Sequence, residues 1–242
     1  MKRNLLYNCF APKWTSCSAF SKEEWELNVE HLCKYAHVFN NKKIVIIRES
    51  PICHLPREVE AKFAPLGNDI EFVRLPNDPK LGETLGWIET LAKLKSLDAD
   101  EITFYAHTKG AKYYNQKEEF IQGIRKWRCA MYDHCLQDVD LIERVMAEYA
   151  CAGCFRQDAE IITFLLRNPP NPFPMGNKWQ FAGTFWWFNH KELFSKTGEK
   201  GWNFIYPFFH GVEGYLGRLF PIEKSYCLFM DKFKDIDTYL FK

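Results

Sequence analysis

Short apolar runs alternate with stretches of helical spacing through the first half of the chain. Residues 4–10 read as a strand that ends in a turn at Ala11-Pro12-Lys13. Ser21 followed three residues later by Glu24 is a capping box, with the serine placed to accept from the first free backbone N–H groups of a helix. That helix sets Trp25, Val29, Leu32, Cys33 and Ala36 on one face and stops at Asn40-Asn41. Residues 43–48 are a continuous apolar strand. Residues 56–63 form a short helix opened by Pro56, a residue suited to the first helical position. A strand over 69–75 and a helix over 82–97 follow, with Leu85, Ile88, Leu91, Ala92 and Lys95 in register. A strand at 102–106 completes the series. Strand and helix in strict alternation predict βαβ units and a mainly parallel central sheet with helices on both faces.

The second half has a different rhythm. Residues 116–136 and 139–149 predict two consecutive helices, the first carrying Trp127, Arg128 and Met131. Residues 151–156 read as a strand, and the proline-rich stretch 168–174 must be a loop. Residues 181–188 predict one strand with aromatic side chains on both faces, 211–219 a short helix and 225–229 a last strand. No linker divides the chain, so residues 1–242 are read as a single α/β domain.

Composition narrows the class. A net charge of +1 gives no bulk attraction to nucleic acid or to an anionic membrane surface. No export signal and no apolar run of about 20 residues stands in the sequence, so a cytoplasmic protein without a transmembrane segment is expected. Nine cysteines in such a chain are expected to be reduced thiols. Cys151-Ala-Gly-Cys154 follows a helix late in the chain and has no second pair to complete a zinc site, so a structural role is expected for it.

The strand at 102–106 stops on His107-Thr108-Lys109-Gly110. Open α/β sheets collect ligands outside the carboxyl ends of their strands, which is where these polar groups fall. The cluster, Trp127-Arg128 on the next helix and the later Gly183-Thr184-Phe185-Trp186-Trp187 together resemble glycosyltransferases of the GT-A fold. More specifically, the chain resembles the microbial and viral transferases of polysaccharide synthesis, the rhamnan-synthesis type among them. The resemblance covers nearly the whole chain. It implies a GT-A-like domain with a nucleotide-binding half at 1–115 and an acceptor-side half at 116–242. It also implies transfer of a sugar from a nucleotide-sugar donor to a glycan or other hydroxyl acceptor.

Carried onto this chain, the resemblance gives each residue a part. Lys109 and His107 stabilise the departing diphosphate, helped by Thr108 and Arg128. Tyr7, Asn8, Arg48 and Asp78, at the ends of the first strands, recognise the nucleotide, with Tyr7 stacking on the base. Glu213 takes the acceptor proton, with His210 as second candidate. One of Trp186 and Trp187 faces the core and the other offers its indole to a sugar. The chain departs from the family in one respect, for GT-A enzymes usually end the fourth strand with a metal-holding Asp-x-Asp. Here Asp98-Ala-Asp100 precedes the strand, about 20 Å from its carboxyl end at ~3.3 Å per residue. A divalent metal, Mn or Mg, is therefore compatible with the resemblance but has no well-placed ligand pair. The alternative is a non-catalytic carbohydrate- or nucleotide-binding module on the same sheet.

Overall fold

A computed structural model describes residues 1–13, 23–113, 116–158, 178–202, 205–207, 209 and 211–232. The alternating first half runs β1 (Lys2–Cys9), α1 (Glu24–Lys34), β2 (Lys43–Glu49), α2 (Pro56–Lys62), β3 (Ile70–Pro76), α3 (Glu83–Thr90) and β4 (Glu101–His107). Then come α4 (Glu118–Leu136), α5 (Val139–Glu148), β5 (Cys151–Cys154), β6 (Arg156–Asp158), β7 (Trp179–Phe181), β8 (Trp186–Asn189), α6 (His190–Thr197), α7 (Tyr215–Leu219) and β9 (Ser225–Phe229). Ser21 lies outside the described residues. The N-cap of α1 is Glu23, whose backbone N–H donates to the side chain of Glu26.

Among the described residues, seven strands form one sheet in the order β3-β2-β1-β4-β8-β5-β9. The first four are parallel, and β5 and β9 are parallel to each other. β8 runs antiparallel to both of its neighbours, so the sheet is mixed and mostly parallel. β6 and β7 pair as a small antiparallel ribbon.

Period-2 alternation sends β1 side chains to two separate cores. Leu5, Tyr7 and Cys9 meet Trp25, Val29 and Leu32 of α1 and Trp127, Met131 and Tyr132 of α4. Leu6 faces the other way, toward Trp87 of α3, Phe194 of α6 and Tyr215 of α7. Helices thus cover both faces. No described helix is long and apolar enough to cross a membrane.

Three expected elements differ. The 82–97 helix ends at Thr90 and tightens into a 3-10 turn over Leu91–Leu94. Its buried stripe is Trp87, Leu91 and Leu94, while Leu85 and Ile88 stay half-exposed. The 151–156 strand breaks at Phe155, whose φ is 55°. The 181–188 strand is likewise two pieces, parted by a turn in which Gly183 has φ 95° and Thr184 φ 57°. The expected loop at 168–174 lies outside the described residues.

Candidate functional site

The chain passes from β1 outward to β2 and β3, then returns to place β4 on the other side of β1. This reversal makes the carboxyl ends of β1 and β4 the sheet's topological switch point, the crevice position at which such sheets bind ligands. Asn8 and His107 stand side by side there.

Backbone ties fix the crevice floor. Thr108 Oγ1 donates to the Phe10 carbonyl at 3.0 Å and accepts from the Phe10 N–H at 2.8 Å. It therefore staples the exits of the two strands, and its hydroxyl is not the free donor expected for a phosphate. Asn28, fully buried on α1, grips the next peptide from both sides. Its Nδ2 donates to the Lys109 carbonyl at 2.9 Å, and its Oδ1 accepts from the Lys109 N–H at 3.1 Å.

So held, Lys109 lays its ammonium 4.0 Å over the Trp127 ring, a cation–π contact that positions the charge half-buried. Burial lowers its pKa, opposed by the negative charges of Glu213 and then Glu83, while Lys112 adds to the lowering. Lys109 and Glu213, 104 residues apart in sequence, are thereby brought into one electrostatic neighbourhood.

Glu83, in the first turn of α3, organises the rest. Its Oε2 accepts from the Tyr105 hydroxyl at 2.7 Å, and the Thr184 hydroxyl lies 3.4 Å from both carboxylate oxygens. His107 Nδ1 is 3.7 Å from Oε1. The other ring nitrogen, Nε2, is 3.1 Å from the Gly183 carbonyl, which can only accept, so Nε2 carries the hydrogen. Burial lowers the His107 pKa; Glu83 opposes this and Lys109 reinforces it. His107 is thus committed to the Gly183 turn on one side and faces Glu83 on the other, a correction to its expected place against a diphosphate. Gly183 is required here. A Cβ at its position would come within 2.6 Å of Met131 Sδ and 3.0 Å of Trp127.

Arg48 and Asn8 frame the same crevice. Asn8 Nδ2 donates to the Glu83 carbonyl at 3.2 Å. Arg48 is only 2% exposed and donates through Nη1 to the Gly82 carbonyl, leaving Nε and Nη2 without hydrogen-bond partners. Burial lowers its pKa against the charges of Tyr105, Glu83 and Asp78. Asp78 itself spends Oδ1 on the Lys80 and Leu81 N–H groups, folding the turn into α3.

Four expected ligand contacts are instead part of the cores. Tyr7 is fully buried, its hydroxyl 3.0 Å from that of Tyr132 and its ring edge-on to Phe63, so it offers no face to a base. Arg128 is bound to Glu24 at 2.8 Å, beside a second ion pair from Arg125, and so fastens α4 to α1. Trp186 and Trp187 do point to opposite faces, but both are fully enclosed. Trp186 packs edge-on to Trp87, and Trp187 donates Nε1 to the Cys135 carbonyl at 2.8 Å. Neither is a cleft-facing indole. His210 lies outside the described residues.

Asp98 and Asp100 sit at the amino end of β4, where Asp98 pairs with Lys2 at 3.0 Å and accepts from the Asp100 N–H. Among the described residues, no three His, Cys, Asp or Glu side chains gather as they would around a metal ion.

Glu83 and Asn28 were not evident in sequence. An acid in a first helical turn reads as a dipole partner, and Glu83 carries only that signal. Asn28 does leave a trace, as an amide beside Val29 and between Trp25 and Leu32 on the apolar face of its helix. Compared with known proteins, the chain matches no family model, no curated protein and no solved structure.

Proposed function

We propose that this chain is a glycosyltransferase of GT-A type, moving a sugar from a nucleotide-sugar donor to a glycan or other hydroxyl acceptor. One observation carries the reading: a half-buried ammonium, Lys109, lies 4.0 Å over the Trp127 ring at the sheet's topological switch point, within the electrostatic influence of Glu213 and Glu83. Departure of a nucleoside diphosphate builds negative charge on phosphate oxygens. A fixed cation outside the strand ends stabilises it without reorganising when the bond breaks. Arg48, with two buried and unused donors, supplies further demand for acceptor atoms on the donor side. Glu213 is the base for the acceptor hydroxyl. Glu83 orders His107, Thr184 and Tyr105 around it, so the crevice wall is set before substrate arrives.

The test is a thermal-shift panel of nucleotide sugars, with and without manganese, followed by donor hydrolysis and transfer assays on the best binder. Lys109→Met is expected to weaken donor binding and to lower turnover by about 100-fold or more. Glu213→Gln is expected to lower turnover with donor affinity preserved. Unchanged affinity and turnover in Lys109→Met would overturn the assignment. The enclosure of Trp186 and Trp187 favours a second reading, a non-catalytic binding module with no acceptor platform. Binding without turnover across plausible acceptors would select it.

A further inference from the structure

Behind the crevice, α4 presents Trp127, Met131 and Cys135 at intervals of four residues, a single stripe facing β5 and the Gly183 turn. At the far end of the stripe, Cys135 Sγ lies 3.5 Å from Cys154 Sγ, the last residue of β5. Both side chains are at most 1% exposed. Two other described thiols have close oxygen neighbours: Cys53 meets Ser50 Oγ at 3.2 Å and Cys227 the Phe229 carbonyl at 3.3 Å. For Cys135 the nearest polar neighbour is another sulfur, its next contact being the Phe185 carbonyl at 3.9 Å.

We propose that Cys135 and Cys154 are a latent disulfide, an oxidisable site that joins α4 covalently to β5. The oxidant is a small peroxide such as hydrogen peroxide. One thiolate attacks the peroxide oxygen, the O–O bond breaks, and the sulfur becomes a sulfenic acid while the released hydroxide takes a proton to leave as water. The second thiol attacks that sulfur, the S–S bond forms and a second water departs. Two thiols and one peroxide thus give one disulfide and two waters. The sulfurs need to approach from 3.5 Å to about 2.05 Å. Cys154 adjoins the register shift between β5 and β9 and the positive-φ turn at Phe155, a place where the strand is not locked into a regular ladder.

Burial and the neighbouring Cys135 raise the Cys154 pKa well above the ordinary thiol value. Because the thiolate is the nucleophile, oxidation is slow near neutral pH and accelerates roughly tenfold per pH unit below that pKa. The bond also reaches the crevice mechanically. Phe155, next to Cys154, packs edge-on to Trp127, the ring beneath Lys109.

The experiment treats the full chain with graded hydrogen peroxide at pH 7 and pH 9, alkylates the remaining thiols in denaturant and maps the peptides by mass. The expected result is a linked peptide pair containing Cys135 and Cys154, faster at pH 9, reversed by dithiothreitol and accompanied by a higher melting temperature. Cys135→Ser and Cys154→Ser, each taken separately, should lose that species and leave other oxidation products unchanged. Recovery of both cysteines as alkylated thiols or as sulfinic acids, or a dominant link to a different cysteine, would overturn the proposal. The mapping of the unmodified sequence decides the matter even if a variant folds poorly.

Discussion

Replacing Asn28 with alanine probes how the crevice floor is held. The side chain makes three hydrogen bonds from a fully buried position: to the Glu24 carbonyl at 2.7 Å, to the Lys109 carbonyl at 2.9 Å and from the Lys109 N–H at 3.1 Å. The Lys109 N–H keeps a second acceptor, the His107 carbonyl at 2.8 Å, so it is not orphaned. The Lys109 carbonyl loses its partner. Loss of the bonds at about 1 kcal/mol each, with about 1–3 kcal/mol for a buried unpaired acceptor, is partly offset by roughly 0.5 kcal/mol of better helix propensity. The net expectation is about 3.5 to 5.5 kcal/mol, read as a lower urea midpoint at unchanged slope. Asn28→Asp should cost at least as much at pH 7. It keeps the acceptor for the Lys109 N–H but turns a carboxylate oxygen toward two carbonyls. Donor affinity should fall in both variants, because Lys109 then loses its register over Trp127. A destabilisation below about 1 kcal/mol for Asn28→Ala would refute the claim that this amide organises the site.

Two further outcomes can be checked in the same way. His190 is fully buried beside Thr103 and Asn4, with Glu101 at 3.7 Å, and burial pushes its pKa down to about 4. A depressed pKa means that the neutral ring contributes stability in full above pH 6.5, and that this is lost as pH falls toward 4. Urea midpoints measured across that window should fall less steeply for His190→Gln than for the native chain, and parallel slopes would contradict this. Gly183→Ala forces a Cβ onto Met131 and Trp127 at φ 95°. It should lower the melting temperature, and it should also displace the carbonyl that His107 Nε2 bonds, so turnover falls even at temperatures where the variant is folded.

The parallel half of the fold was readable because each element there buries one face against a continuous partner. The apolar strands at 43–48 and 102–106 and the stripe Trp25-Val29-Leu32 all reappear close to where the pattern set them. Alternation also set Trp186 and Trp187 on opposite faces of their strand. It could not tell that both faces are roofed, since the cover comes from α4 on one side and from α3 and α7 on the other. The breaks at Phe155 and Thr184 were hidden for a related reason. Both are non-glycine residues at positive φ inside apolar runs; Phe155 carries no turn signal of its own, and at Thr184 the one signal was the preceding Gly183. Arg128 looked like a free cation because its partner Glu24 is 104 residues away. The cluster after β4 was visible as chemistry, whereas the carboxylate that orders it, Glu83, reaches it only through the packing of α3.

The backward strand β8 has a consequence for how the molecule is made. Because it runs antiparallel beside β4, the turn that precedes it arrives at the same edge as His107, linking residues 76 positions apart. Glu83 and Thr184 meet across 101 positions. During synthesis, β1 to β4 can pair as soon as they emerge, yet they then present a histidine without its carbonyl, a glutamate without its threonine and an open sheet edge along β4. Closure of the crevice therefore waits on β8, which leaves the ribosome long after β4. A product truncated before β8 keeps the strand-end lysine but lacks the Gly183 carbonyl and the Thr184 hydroxyl that wall it in, so the site takes its final shape only when the mixed sheet has assembled.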